Sequence, residues 1–278
     1  MRRLIVSGDD FGLHPLINQG IIEAHEHGIL TSASLVACGQ AFQDAVKLAK
    51  AHPKLGVGVH LTFVEEKPIS PPDRIRSIVS NNGDFPKTWR GVVSNLIMGR
   101  IKLEHLRYEA GAQISRVTEA GITPTHLDAH QHLHLSPAIW RILLPLISKY
   151  RIPAVRMIRQ EILKDQRGWK TKGLEFLSRR AIRKANQTGL WFPDFAAGTS
   201  LGGHMSEGLL CRILGALPEG TTELICHPGK SNRELASCYN WGYDWEQETA
   251  ALTSPVVKDI VARNHIELCR FEPEQEER

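Results

Sequence analysis

Leu4-Ile5-Val6-Ser7-Gly8-Asp9-Asp10-Phe11-Gly12 reads as a short apolar strand that ends in two carboxylates and a turn. Adjacent strand residues point to opposite faces, so Asp9 and Asp10 can serve one site only where the strand ends and bends. The same arrangement recurs along the chain. Residues 55–63 form a strand pattern that carries His60. Residues 124–129 form another that runs through Asp128 to His130, and residues 223–226 a third that is followed by His227. Residues 17–27, 41–51, 103–120 and 137–150 place apolar side chains at helical spacing, with Gly28 and Gly121 as stop signals. Residues 31–37, 154–157 and 266–270 read as further strands, residues 161–189 as basic and helical, and residues 246–264 as mostly helical. Strand–helix alternation from end to end indicates an α/β protein with a parallel sheet. Polar residues gathered at strand C-termini mark the rim where a (β/α) barrel builds its site. An open doubly wound sheet places ligands there as well, and the pattern alone leaves both standing.

The 278 residues fit one large domain or two small ones, and no composition break or internal repeat demands a second. We therefore expect a single domain over residues 1–278, with a Pro- and Asn-rich loop insertion around 64–95 and the basic helical insertion around 161–189. The net charge of +4 gives no reason to expect nucleic acid. Five scattered cysteines without a C-x-x-C pair argue against a disulfide framework or thiolate zinc site and suit a reducing cytoplasm. No window offers the ~20 apolar residues of a membrane span. The tail after Pro273 is expected to fray.

Residues 125–134, T-H-L-D-A-H-Q-H-L-H, pack four of the chain's 13 histidines around one aspartate. Buried imidazoles need partners, and a divalent cation satisfies several at once. Strand alternation puts His126, Asp128 and His130 on one face. His130, at the strand end, is the strongest ligand candidate, and Asp128 is placed to orient an imidazole. His132 and His134 fall in the following turn, where they line the pocket or cap it. His60 ends G-V-G-V-H, whose glycines suggest close backbone or ligand approach. The plainer readings are a structural role for His60, a helix N-cap for the Asp pair and a simple turn for His227-Pro228-Gly229. Together the residues supply carboxylate and imidazole for a cation, a free carboxylate base and a histidine acid, the set that metal-assisted hydrolysis of an amide requires.

These motifs jointly resemble the YdjC-like family, which includes chitooligosaccharide deacetylase. The matching pieces are I-V-S-G-D-D-F-G at 5–12, G-I-L-T-S-A-S-L at 28–35, G-V-G-V-H-L at 56–61, P-T-H-L-D-A-H-Q-H-L-H at 124–134 and L-I-C-H-P-G at 224–229. The pattern W-x-x-E-x-x-x-L-T-S-P-x-V at 245–257 is most similar to the branch associated with hopanoid biosynthesis. Gly8 stands where alanine is common in the family. The resemblance implies a distorted (β/α) barrel, a divalent metal (magnesium or zinc foremost) and removal of acetyl from an N-acetylated amino sugar. It implies Asp10, His60 and His130 as metal ligands, Asp9 as base and His227 as acid. Arg156, at the end of its strand, is a further position for holding Asp9 or the substrate.

The sugar would be chitooligosaccharide-like or carried on a hopanoid lipid, and a homodimer is compatible with the chain. Tyr239, Trp241, Tyr243 and Trp245 either stack on the sugar or cap the barrel surface, the latter reading being slightly preferred. Residues 64–95 are placed to act as a lid. Leu174, Leu177, Ala181 and Ile182 set against Arg179, Arg180, Arg183 and Lys184 have the make-up of a helix in peripheral contact with an anionic membrane. The plainer reading, a solvated helix packed on the barrel, is preferred. The competing functions are a metal-dependent hydrolase of a phosphoester or other amide, which calls for arginines near His60, and a non-catalytic sugar-binding barrel.

Overall fold

In a computed structural model, which describes residues 1–163, 165 and 168–271, β1 (Arg2–Phe11) is the axis of a parallel sheet. It pairs with β2 (Ser32–Leu35), β6 (Gly220–Cys226) and β7 (Glu267–Leu268). With β3 (Gly56–Leu61), β4 (Leu127–Ala129) and β5 (Phe195–Ala197), the strand order is β4-β3-β2-β1-β6-β5. Single parallel bridges, Leu127 to Val155 and Glu161 to Ala196, carry the path from β4 through residues 154–162 to β5. The curled sheet is thus a distorted barrel and not an open sheet. Residues 154–157 do not form the expected regular strand. The Leu127 amide donates to Ala154 and the Arg156 amide to Leu127 on one side, and the Val155 amide donates to Trp191 on the other, so each side holds a single bridge. Pro153 has no amide with which to extend the ladder.

The helices α1 (Pro15–His27), α2 (Phe42–Ala51), α3 (Trp89–Ile97), α4 (Leu103–Glu119), α5 (Pro137–Lys149), α6 (Trp169–Ala185), α7 (Glu207–Gly215), α8 (Asn232–Cys238), α9 (Trp245–Thr253) and α10 (Pro255–Arg263) alternate with the strands. The sequence reading lacked β5, α7, α8 and, inside the expected loop, α3. Side-chain caps mark all three helices: Thr88 accepts from the Gly91 amide, Ser206 from Leu209 and Ser231 from Glu234. Residues 64–95 also hold a 3₁₀ turn, Pro72–Arg74, and bury Ile75, Ile78 and Phe85. The Glu109 carboxylate on α4 accepts from the amides of Ile69 (3.0 Å) and Ser70 (2.9 Å), which ties the segment down. The tail after Pro273 lies outside the described residues, as do Lys164, Gln166 and Arg167 of the basic stretch.

Strand alternation divides apolar from polar. Leu4 and Val6, Ala33 and Leu35, Val57, Val59 and Leu61, Leu127 and Ala129, and Leu224 and Cys226 face the helices and join one apolar core. The rows facing the bore are small or polar: Ser7 and Asp9, Ser32 and Ser34, Gly56, Gly58 and His60, His126 and Asp128, and Glu223. All are buried. A separate cluster of Ile5, Ala154 and Phe271 fills the end of the bore away from the strand C-termini, with Trp191 and Cys269 against it.

His126 lies flat on Phe271, ring centroids 3.8 Å apart, and shares a 3.0 Å hydrogen bond with Ser34 Oγ. On its other side is Gly58, where a Cβ would sit 2.4 Å from His126 Cε1. The glycine in G-V-G-V-H therefore makes room for a histidine of the next strand. With Phe271 behind it the ring cannot retreat. Gly58→Ala is expected to destabilise the fold by about 1–3 kcal/mol, read as a lower urea midpoint at unchanged m-value.

Candidate active site

The register between β1 and β2 breaks between Gly8 and Phe11, and Asp10 adopts a left-handed φ of 66°. This bulge turns two consecutive carboxylates toward one mouth, which a regular strand forbids. Asn18 of α1 fixes the turn by accepting from the Gly12 amide at 2.7 Å.

Asp10 Oδ1 lies 3.1 Å from His130 Nδ1 and 3.6 Å from His60 Nε2. Yet neither Asp10 oxygen nor His60 Nε2 makes a hydrogen bond, although all are buried. One ligand atom from each of Asp10, His60 and His130 lies within 4.8 Å of the other two. His60 Nδ1 faces Asp128 Oδ1 at 2.9 Å, so its proton sits there and Nε2 presents a lone pair toward Asp10. His130 Nε2 faces Glu65 Oε2 at 3.1 Å, which leaves Nδ1 on the Asp10 side. Such unpaired buried groups are costly, and their convergence is what a divalent cation would relieve. The donor set, one carboxylate and two imidazoles, fits magnesium less well than zinc or another borderline ion.

The charge balance follows the same line. Burial opposes ionisation of Asp10, but His130, His60 and His227 outweigh it and bring the carboxyl down to about 2. Burial equally opposes a charged His130, but Asp10 and Glu65 push it up to about 10. Against burial, Asp128, Asp9 and Asp10 also raise His60. Protons thus collect on the two imidazoles where a cation would sit. Elsewhere in the motif burial prevails. It lowers His126 to about 3 and His134 to about 4, and it holds His132 below the ordinary range.

Beneath the cluster, Arg156 is fully buried. Its two terminal nitrogens each donate to Asp9 at 2.7 Å, and Nε donates to Glu223 Oε1 at 2.7 Å. It also contacts Asp128 Oδ2, and it reaches Ser7 Oγ at 3.3 Å. Of the two roles read for Arg156, the structure gives it the grip on Asp9. A phosphoester substrate would need a free arginine beside His60. Among the described residues Arg156 lies there, and three carboxylates engage it.

His227 stands on the Cys226–Gly229 turn with its Nδ1 buried and unpartnered. Its backbone amide donates to Glu248, and the Gly229 amide donates to Thr249 Oγ1 at 3.0 Å and to the Trp245 carbonyl at 3.2 Å. Trp245, Glu248 and Thr249 are successive residues on one face of α9. The W-x-x-E pattern is therefore the clamp on the His227 turn. On the other side Gly20 of α1 lies so close that a Cβ there would stand 2.3 Å from the Gly229 Cα.

The aromatic segment does not lie out on the surface, as the preferred sequence reading had it. Trp241 packs 5.2 Å from the His130 ring and Tyr243 packs 4.9 Å from the His227 ring, with 5.3 Å between the two. Turn 239–245 closes on the site because Trp241 Nε1 donates to Glu65 Oε2 at 3.1 Å. Glu65, from the expected lid, and Glu248 were missed from the sequence. His132 stays outside the Asp10 cluster: its φ of 54° turns it toward His134, 6.4 Å away. His134 is tied to the Arg156 carbonyl at 3.1 Å.

A family model described as "YdjC-like protein" matches residues 3–263. The chain belongs to the YdjC-like family. Among its relatives, the carbohydrate deacetylase of Geobacillus stearothermophilus is 30% identical, over 97% of each chain. The chitooligosaccharide deacetylase of Serratia marcescens is also 30% identical, over 97% of this chain and 98% of its own. A crystal structure of a candidate cellobiose-phosphate cleavage protein from Enterococcus faecalis V583 superposes with a TM-score of 0.78 at 27% identity, covering 97% of both chains. The YdjC-like resemblance drawn from the motifs therefore holds, and with it the expectation of an enzyme and not a binding barrel. No helix of the described residues is long and apolar enough to cross a membrane.

Proposed function

We propose that this YdjC-like chain is a metal-dependent carbohydrate deacetylase that hydrolyses the N-acetyl group of an amino sugar. The observation that carries the reading is the convergence of Asp10, His60 and His130, where both Asp10 oxygens and His60 Nε2 are buried without a hydrogen-bond partner. The relatives' names supply the substrate class, chitooligosaccharide-like or, from the closing motif, a sugar on a hopanoid lipid. Asp10, His60 and His130 would hold the divalent ion. When bound, it supplies Lewis acidity for the carbonyl and for water.

The remaining steps belong to side chains of this protein. Asp9 takes the proton of the attacking water. Arg156 fixes both its oxygens at 2.7 Å, and each retains a lone pair for that proton. His227 delivers a proton to the departing sugar nitrogen, and the α9 clamp sets its position. Trp241 and Tyr243, lying between His130 and His227, offer ring faces to the sugar.

Acetate release from N-acetylated chitooligosaccharides tests the reading. Activity is expected with zinc or another divalent ion, to be lost on chelation and to return on reloading. Full turnover by protein shown to be metal-free would overturn it. Protons and ion compete for the same imidazoles. In ion-free protein the stabilising proton on His130 is fully present below the ordinary histidine value and is lost as pH rises through about 10. Ion binding runs the other way, so displacement of this one proton tightens apparent zinc affinity about tenfold per pH unit between pH 6 and 8.5. Titration in buffered zinc checks this, and a flat profile would remove His130 from the ligand set.

A further inference from the structure

Helix α6, Trp169–Ala185, turns a face to solvent that neither the site nor the barrel uses. Thr171, Glu175, Ser178, Ala181 and Ala185 are its buried residues. The face opposite them carries Trp169, Phe176, Arg180 and Arg183 at offsets of 7, 11 and 14 residues, close to whole turns of an α-helix. Trp169 is 70% exposed and Phe176 57%, both unusual for large aromatic rings. Arg180 stands over the Phe176 ring at 5.3 Å and Lys170 beside the Trp169 ring at 6.0 Å. Lys170, Lys172, Arg179 and Lys184 are exposed as well, whereas the helix's one acidic residue, Glu175, is buried. Six of the chain's 34 Lys and Arg lie in this helix, so the rest of the chain is close to neutral.

We infer that α6 is a peripheral membrane-docking helix that seats the enzyme on an anionic bilayer. Aromatic rings flanked by cations on one outward stripe match an interface whose surface is negatively charged and whose interior is apolar. A second copy of the chain fits poorly, because it would bring a like-charged helix against this one. Nucleic acid would satisfy the cations but leaves two aromatic rings two turns apart on the helix without a reason. The helix has a defined seat on the barrel. α6 packs against the 3₁₀ segment His130–Leu135, and Ser178 Oγ accepts from the Ile158 amide at 3.0 Å. The helix that carries the docking face therefore rests on the segments that carry His130 and Arg156.

Vesicle flotation of the full chain tests this. Vesicles of phosphatidylglycerol with phosphatidylcholine are compared with phosphatidylcholine alone, at low and high salt. Co-flotation is expected with the anionic vesicles and falls with salt. Arg180→Gln with Arg183→Gln should weaken partitioning roughly 25-fold, since each basic residue near an anionic surface contributes about fivefold. Trp169→Ser with Phe176→Ser should abolish the fraction that survives high salt. All four positions are exposed, so circular dichroism should be unchanged in both variants. Absence of flotation with anionic vesicles at low salt would overturn the inference. So would flotation indifferent to both variants, or salt-sensitive binding to duplex DNA that ignores loss of the two rings. A dimer in sedimentation that dissociates in the Trp169/Phe176 variant would assign the face to a second copy instead. None of these readings depends on turnover, so they stand apart from the test of deacetylation.

Discussion

Asp9→Asn is expected to lower kcat for acetate release by about 10²–10⁴-fold, the range that removal of a general base spans. Asn is isosteric and still offers one oxygen to Arg156, but it cannot take a proton from water. Metal content should be unchanged, because the proposed ligands, Asp10, His60 and His130, do not include it. KM should move little, since the loss falls on a proton transfer made only in the transition state. A variant with native metal content and native melting that turns over near the wild-type rate would show that another group is the base. Metal loss in parallel with activity would instead give Asp9 a structural role beneath the ion.

Arg156→Met is expected to cost about 3–5 kcal/mol of stability, the range for removing one partner of a buried ionic network. The guanidinium holds Asp9, Asp128 and Glu223 together inside the barrel bore. Methionine fills part of the space but leaves three carboxyls facing one another. Burial already pushes Glu223 up to about 7 even with Arg156 present. Removal of the cation pushes Glu223 further toward the neutral form and takes away a charge that holds Asp128 low, so the variant should be relatively less destabilised at mildly acidic pH. Denaturant unfolding at pH 7 and pH 5 measures both effects. A loss below about 1 kcal/mol at pH 7 would place the network among surface-like pairs of little worth. The adjacent substitution Glu223→Gln should be much milder, since it keeps a hydrogen-bond acceptor for Arg156 Nε.

The fold was legible wherever a residue's role is local. Apolar runs closed by Asp9-Asp10, His60, His130 and His227 announced a parallel α/β sheet with its chemistry at one rim. The alternation of His126, Asp128 and His130 placed them on one side of their strand. Contacts across the chain were not legible. Glu65 reaches Trp241 over 176 positions and Glu248 holds the His227 turn from 21 positions away, and no spacing rule links such residues. The aromatic turn was misjudged for that reason, since composition alone cannot tell a surface cap from a wall of the site. The helix inside residues 64–95 had a usable signal in Thr88, which caps it. Pro86 before it and Gly91 in its first turn obscure the helical pattern. The pattern alone left barrel and open sheet both standing, because closure uses single bridges with no strand-length periodicity to read; the family resemblance implied the barrel, and the structure bears it out.

The bore network also bears on how the chain assembles. Its links join Arg156 to Asp9 across 147 positions and to Glu223 across 67, so the fold has many contacts of high order and is expected to form slowly. A partly wrapped intermediate that has placed β1 and β4 but not β6 holds Arg156 with Asp9 and Asp128 but without Glu223. Docking of β6 supplies the acceptor for Arg156 Nε, so the guanidinium is fully hydrogen-bonded only in the finished ring, which favours that ring over half-wound states.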